Sequence, residues 1–332
     1  MLDERKASIL RAVVEEYIQT AQPVGSRHVA AAPEVAVSPA TVRNEMAQLE
    51  TDGYLVQPHT SAGRIPTDKG YRFFVDSLSQ PGHLGAPETQ LVREFFAKAH
   101  GELEAMLADT SRLLSNITRQ AAVVVGPPHE VATVRSVQLV SLHPRVVLMV
   151  IVLSNGAIDK HTIDLDSDID DESVAAASAR LNEHLVGGTL ASVDPAAATG
   201  APDTDALVAT ALSVLTDDHH DPDSVFVGGT SLMAGSFDAV DSVRQVLTIL
   251  EEQIVVVTLL RDVLDRGLSV AIGSETGMEP LSECSLVVAP YSVDGEGVGT
   301  IGVLGPTRMN YPQALAAVAV VSRGLGHRLS EG

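Results

Sequence analysis

The stretch from Pro23 to Asp76 constrains the fold of this chain more than any other. A short helix from Ser26 precedes Ser38-Pro39-Ala40-Thr41-Val42-Arg43-Asn44-Glu45-Met46, which runs on to Gly53-Tyr54-Leu55-Val56 and the turn-rich PHTSAGRIPTDKGY at 58–71. Two helices followed by a short β-hairpin predict a winged helix-turn-helix, an architecture suited to reading DNA.

The second helix follows residue by residue. Ser38 is a favoured N-cap, and Pro39 falls at the first helical position, where a missing N–H costs nothing. Val42, Met46 and Leu49 are spaced i, i+4 and i+7, so they form an inward stripe while Ala40, Arg43, Asn44, Ala47 and Gln48 turn outward together. Gly53 ends the helix. The outward set has the chemistry of a base reader. Arg grips guanine O6 and N7 with two hydrogen bonds, Asn does the same for adenine N6 and N7, and the alanines permit close approach. Arg43 and Asn44 are the leading candidates, with Gln48 beside them.

Tyr54-Leu55-Val56 and Arg64-Ile65-Pro66 are β-prone segments joined by His59-Thr60-Ser61-Ala62-Gly63, a hairpin of the wing type. Its polar tip offers hydroxyl, imidazole and backbone N–H groups to phosphate, and Arg64 is placed to lie along a backbone or in a minor groove. Thr67 caps a further helix whose apolar stripe is Tyr71, Phe74, Val75 and Leu78. Lys69 and Arg72 stay outside that stripe and are counted with the DNA-facing residues. Between the two helices, AAAPEVAV at 30–37 carries no basic residue and one acid, Glu34, which makes DNA affinity lean on the hairpin.

The motifs PVGSR at 23–27, SPATVRNEM at 38–46 and QPHTSAGRIPTDKGYRFFVD at 57–76 resemble the heat-inducible transcription repressor family HrcA, and GTIGVLGPTRMNY at 299–311 is similar to that family's C-terminal segment. The resemblance implies a homodimer that binds double-stranded DNA at an inverted-repeat operator, CIRCE, upstream of chaperone operons, with activity modulated by the chaperonin GroEL. Carried over by position, the implied DNA contacts are Ser38, Thr41, Arg43 and Asn44 on the helix, with His59, Ser61, Arg64 and Lys69 around the hairpin. It also implies a GAF-like antiparallel sheet domain interrupted by a dimerising insert.

The remainder of the chain fits a multidomain α+β protein. Residues 1–80 form the winged helix-turn-helix and 81–120 a linker and long helix. Residues 121–166 and 262–332 form the sheet domain, and 167–261 the inserted dimerisation domain. Ser79 to Pro87 is linker-like, and Leu91 to Thr118 reads as one long helical spacer. Segments 136–142, 145–153, 157–165, 269–272, 286–291 and 299–304 are β-like, with Asn155-Gly156 a hairpin signal, and Tyr311 to Leu329 closes as a helix. Within the insert, 237–264 has an apolar helix face.

Net charge is −21, but residues 1–80 hold eight Lys and Arg against ten Asp and Glu, so the acid burden lies elsewhere. Non-specific affinity for nucleic acid should be modest and depend on local placement of cations and on dimerisation. No apolar run reaches the ~20 residues of a membrane helix, the first stretch is too charged for a secretory signal, and the single Cys284 permits a reducing cytoplasm. Asp217-Asp218-His219-His220-Asp221 lacks a ligand set for a metal. The glycines of 291–306 complete no nucleotide-binding fingerprint and read as turns and tight strand packing. No nucleophile, base and orienter come together, so no enzyme and no cofactor are expected. The alternative is an effector-gated regulator of another regulon, with a metabolite in the GAF-like domain.

Overall fold

The computed structural model describes residues 2–59, 62–78, 82–98, 102–127, 132–154, 157–190, 200–217, 225–235, 237, 240–266, 269–293 and 296–330. The N-terminal module opens with α1 (Glu4–Thr20), whose N-cap Asp3 accepts from the Lys6 N–H and whose inner face buries Ile9, Leu10, Val13 and Val14. A four-residue helix α2 (Ser26–Val29) leads to α3 (Pro39–Thr51), in which Val42, Met46 and Leu49 are buried in the same core. Gly53 follows α3 at φ +80°, a conformation that glycine adopts without the clash of a side chain.

Strands β1 (Leu55–Val56) and β2 (Ile65–Pro66) pair antiparallel, and Val24 extends this hairpin by exchanging two N–H to carbonyl bonds with Arg64, each 2.9 Å. The return of the hairpin requires glycine: a Cβ on Gly63 would lie 2.4 Å from the Val24 carbonyl oxygen. Helix α4 (Asp68–Asp76) is capped by Thr67, whose hydroxyl accepts from the Gly70 N–H and donates to the Gly53 carbonyl.

The second region starts with α5 (Ala86–Lys98) and α6 (Leu103–Thr118). Where a single helix over 91–118 is expected, the described residues form two, one ending at Lys98 and the next beginning at Leu103. Nor is it a spacer. Helix α6 buries Leu107, Leu114 and Ile117 because its apolar face packs on the sheet that follows.

That sheet opens with β3 (Ala121–Val125). Next come β4 (Val134–His143), β5 (Val146–Leu153) and β6 (Ile158–Asp164), which pair only with one another as a three-stranded antiparallel sheet, and α7 (Asp171–Leu185) and α8 (Pro202–Asp217), which pack with them. In β5 the residues Val147, Met149, Ile151 and Leu153 are buried and their alternates only half-buried, so this strand covers a core on one face. The chain then rejoins the first sheet through β7 (Val225–Gly228), followed by α9 (Thr230–Ala234), α10 (Val240–Glu251), α11 (Gln253–Asp265), β8 (Val270–Ile272), β9 (Cys284–Val293), β10 (Glu296–Pro306) and α12 (Tyr311–Ser330).

The main sheet has the order β7-β3-β10-β9-β8, antiparallel throughout. Ala122, Val124, Val287, Ile301 and Val303 face the core shared with α5, α6 and α12, while Ala121, Val123, Leu286, Val288 and Leu304 face α10 and α11. Burial on both faces explains why these strands read as continuous apolar runs. Gly299 in β10 leaves room for the Tyr291 ring across the pair, as its Cβ would fall 2.4 Å from the Tyr291 hydroxyl.

The sheet topology groups the strands differently from the expected division. Strands β4 to β6, assigned from sequence to the sheet domain of 121–166 and 262–332, belong instead to an inserted body between Val125 and Val225. Helices α9 to α11, expected inside an insert of 167–261, cover the main sheet. Alternating apolar residues identify a strand but not the sheet it joins. Asn155-Gly156 lies outside the described residues, although β5 and β6 are antiparallel neighbours as expected.

Candidate nucleic-acid interface

Helix α3 presents the sequence-predicted reading face. The Ser38 hydroxyl accepts from the Thr41 N–H at 3.2 Å and lies 3.0 Å from the Thr41 hydroxyl, so the two candidates form one polar cluster at the helix N-terminus. Ala40, Arg43, Asn44, Ala47 and Gln48 are exposed on the side opposite Val42, Met46 and Leu49. Among the described residues, Arg43 and Asn44 engage no side-chain partner, which leaves five guanidinium donors and a full amide edge available to a ligand.

The electrostatics of this face depend on what happens to the nearby acids. Glu45 is 3.7 Å from Arg5, Asp52 is 3.9 Å from Lys6, and Glu50 is 2.9 Å from Arg64. Each carboxylate of α3 and its C-terminal end is thus set against a cation of the module itself, whereas Arg43 is not. A module of nearly balanced charge in this way exposes a local positive site.

Around the hairpin the candidates separate. His59 is exposed at the end of the outgoing arm, and Gln57 donates across the hairpin to the Ala62 carbonyl at 2.9 Å. Ser61 lies outside the described residues. Arg64 does not project outward: its Nε and Nη2 both contact Glu50 Oε2 at 2.9 Å, and only 16% of its side chain is accessible. The Lys69 ammonium sits 4.3 Å from the Tyr54 ring centroid and donates to the Asp52 carbonyl at 2.8 Å, where it serves the C-terminal end of α3.

Arg72 turns away from the reading face altogether. Its guanidinium engages Glu275 and the Val270 carbonyl of the second region, and the pairing with Glu275 raises its pKa above the ordinary arginine value. The structure therefore brings Ser38, Thr41, Arg43, Asn44 and Gln48 together, keeps His59 nearby in sequence on the hairpin, and engages Arg64, Lys69 and Arg72 in internal contacts. One basic residue was passed over by the sequence reading. Arg27 on α2 is exposed and forms no ion pair among the described residues, and its signal was the PVGSR motif that carried it.

Elsewhere, two open cavities of about 380 and 220 Å³ lie beside α10 and beside the start of α6, lined respectively by Glu279, Ser282 and Glu283 and by Glu102, Asp159 and Lys160. These polar walls do not resemble the mostly apolar lining of a metabolite site. No group of three or more metal-ligating side chains occurs among the described residues, and 218–221 of the acidic Asp217–Asp221 run lies outside them. No described helix is long and apolar enough to cross a membrane.

A family model, HrcA protein C terminal domain, matches residues 104–315. The heat-inducible transcription repressor HrcA of Streptomyces albus G is 39% identical over 340 residues, covering 100% of this chain and 100% of that protein. The HrcA of Streptomyces avermitilis is 40% identical over 338 residues with the same coverage. A crystal structure of a hypothetical protein superposes over 100% of this chain and 99% of its own with a TM-score of 0.73 at 22% identity, which shows a shared fold.

Proposed function

The chain belongs to the HrcA family of heat-inducible transcription repressors, and from that premise we propose that its N-terminal module is a winged helix-turn-helix that reads an inverted-repeat operator, CIRCE, as a homodimer. The observation that carries this reading is the exposed Arg43-Asn44 pair on a capped, core-anchored helix whose own acids are paired elsewhere. Ser38, Thr41 and Gln48 complete the helix contribution, and the proposed phosphate contacts are His59, Ser61 and Arg27. Arg64, Lys69 and Arg72 hold the module in shape and leave the contact surface. The antiparallel sheet, interrupted between its first two strands, fits a GAF-like domain with an insertion, and the inserted body supplies the dimer contact. We place the protein in the cytoplasm, with GroEL as the partner that raises its operator-binding activity.

Fluorescence anisotropy on a labelled CIRCE duplex and a scrambled control, with and without GroEL, at two salt concentrations, tests the reading. Specific binding that GroEL strengthens is the expected result. Equal weak binding to both duplexes in every condition would overturn it.

A further inference from the structure

We propose that the joint between α4 and the 3-10 turn Gly273–Thr276 is a positioning element that sets which half-site spacing the repressor accepts, with Arg72 and Glu275 as its central residues. This rests on the reading above, a dimer on an inverted repeat.

Helix α4 has two working sides. On one, Lys69 and Phe73 hold the module together: Phe73 meets the Tyr54 ring edge-on at 6.0 Å, and Lys69 reaches the end of α3. On the other, Asp68, Tyr71 and Arg72 grip the second region. Arg72 donates through Nε to Glu275 Oε1 at 2.9 Å, through Nη2 to Glu275 Oε2, and through Nη2 to the Val270 carbonyl at 2.6 Å. Glu275 is itself held, because its Oε2 accepts from the Ile272 N–H at 3.0 Å and its carbonyl accepts from Arg266 at 3.0 Å.

One turn away, Asp68 Oδ2 accepts from both the N–H and the hydroxyl of Ser274, at 3.1 and 3.3 Å. Gly273 makes that approach possible, since it sits at φ +53° and a Cβ there would lie 2.2 Å from Asp68 Oδ2. Between these polar contacts the Tyr71 and Tyr311 rings pack at 5.8 Å, both buried.

A two-point carboxylate–guanidinium contact fixes direction as well as distance. Combined with the Asp68 contact and the ring pair, it leaves α4 no free rotation against the sheet domain, and α3 is tied to α4 through Lys69. The attitude of each reading helix is therefore inherited from its own sheet domain. In a symmetric dimer the spacing and phasing of the two half-sites follow from that attitude. Binding of the second module is an intramolecular step whose effective concentration falls when the joint loosens.

The test uses the full chain, with Arg72→Ala, Glu275→Ala and the milder Glu275→Gln, which keeps an amide oxygen. Anisotropy is measured on the natural inverted repeat, on repeats with one or two base pairs added or removed at the centre, and on a duplex with a single half-site. Each added base pair turns the second half-site by about 34°. Wild type should discriminate sharply among spacings. The alanine variants should bind the natural spacing about ten-fold more weakly, with a flattened spacing profile and an unchanged single half-site affinity, and Glu275→Gln should fall between.

A profile as steep as wild type in all three variants would overturn the inference. So would an equal loss on every duplex including the half-site, which would make Arg72 a DNA contact or the variants unfolded; circular dichroism of the same samples separates those two. A wild-type protein with no preference among spacings would overturn the operator reading, and this inference with it.

Discussion

Arg64 and Glu50 tie the hairpin to the last turn of α3, with Nε and Nη2 of the arginine both 2.9 Å from one carboxylate oxygen. Both residues are partly shielded, so the pair contributes roughly 1 kcal/mol. Arg64→Ala should weaken operator binding by loosening the hairpin, with an unchanged dependence of affinity on salt. Loss of one phosphate contact would instead reduce the slope of log affinity against log salt by about one. Titrations at four salt concentrations distinguish the two.

Arg43→Ala should cost about 1–3 kcal/mol on the cognate operator and relax preference at one base pair in each half-site. Competition with a set of single-base operator variants checks this. Equal losses on cognate and random DNA would make Arg43 a phosphate contact.

The Tyr71 hydroxyl is buried with no hydrogen-bond partner among the described residues. An unsatisfied buried polar group costs about 1–3 kcal/mol, so Tyr71→Phe should be stabilising by roughly 1 kcal/mol while the ring contact with Tyr311 is kept. A denaturant midpoint below that of wild type would count against this.

Burial, reinforced by Glu283, pushes the Cys284 thiol up from 9.0 to about 12. An acid whose folded pKa is raised contributes stability in full below its unfolded pKa and loses it as pH climbs through the folded value. Burial likewise raises the Tyr71 and Tyr311 phenols, which act in the same direction. The melting temperature, on these grounds alone, should hold up to about pH 9 and drop beyond it, with a shallower drop in Cys284→Ala. Native protein at pH 8 should resist thiolate-selective labelling that goes to completion in denaturant.

Val125 and Val225 are direct partners in the β3–β7 register, so the inserted body leaves and re-enters the sheet at one point. Replacing the segment between them by a two-residue Asn-Gly turn should preserve the sheet domain. Sedimentation of that variant should show a monomer with operator affinity reduced to that of a single half-site. A dimer would place the contact outside the insert.

What was legible in the sequence was local. Ser38, Pro39 and Gly53 bracket α3 by signals within a turn of its ends, and Val42, Met46 and Leu49 declare its buried side by spacing alone. The hairpin was legible for the same reason. Arg72 was not, because Glu275 lies 203 residues further along, and nothing near Arg72 announces that partner. Arg64 likewise looks like a free cation until the fold returns it to Glu50. The grouping of strands into two sheets was not legible because β7 is four residues long and pairs with a strand about a hundred residues earlier, while β4 to β6 carry patterns that would suit either sheet.

Strand β10 lies between β3 and β9, yet it is made after both. During synthesis at about 5–20 residues per second, the Ala-Ala-Val-Val-Val of β3 waits on the order of ten seconds for its neighbour. Until β10 arrives, the edge of β3 that it will cover has no strand beside it and is open to pairing with other chains. An incomplete chain therefore carries a gap in the middle of its sheet that only its last strand can close.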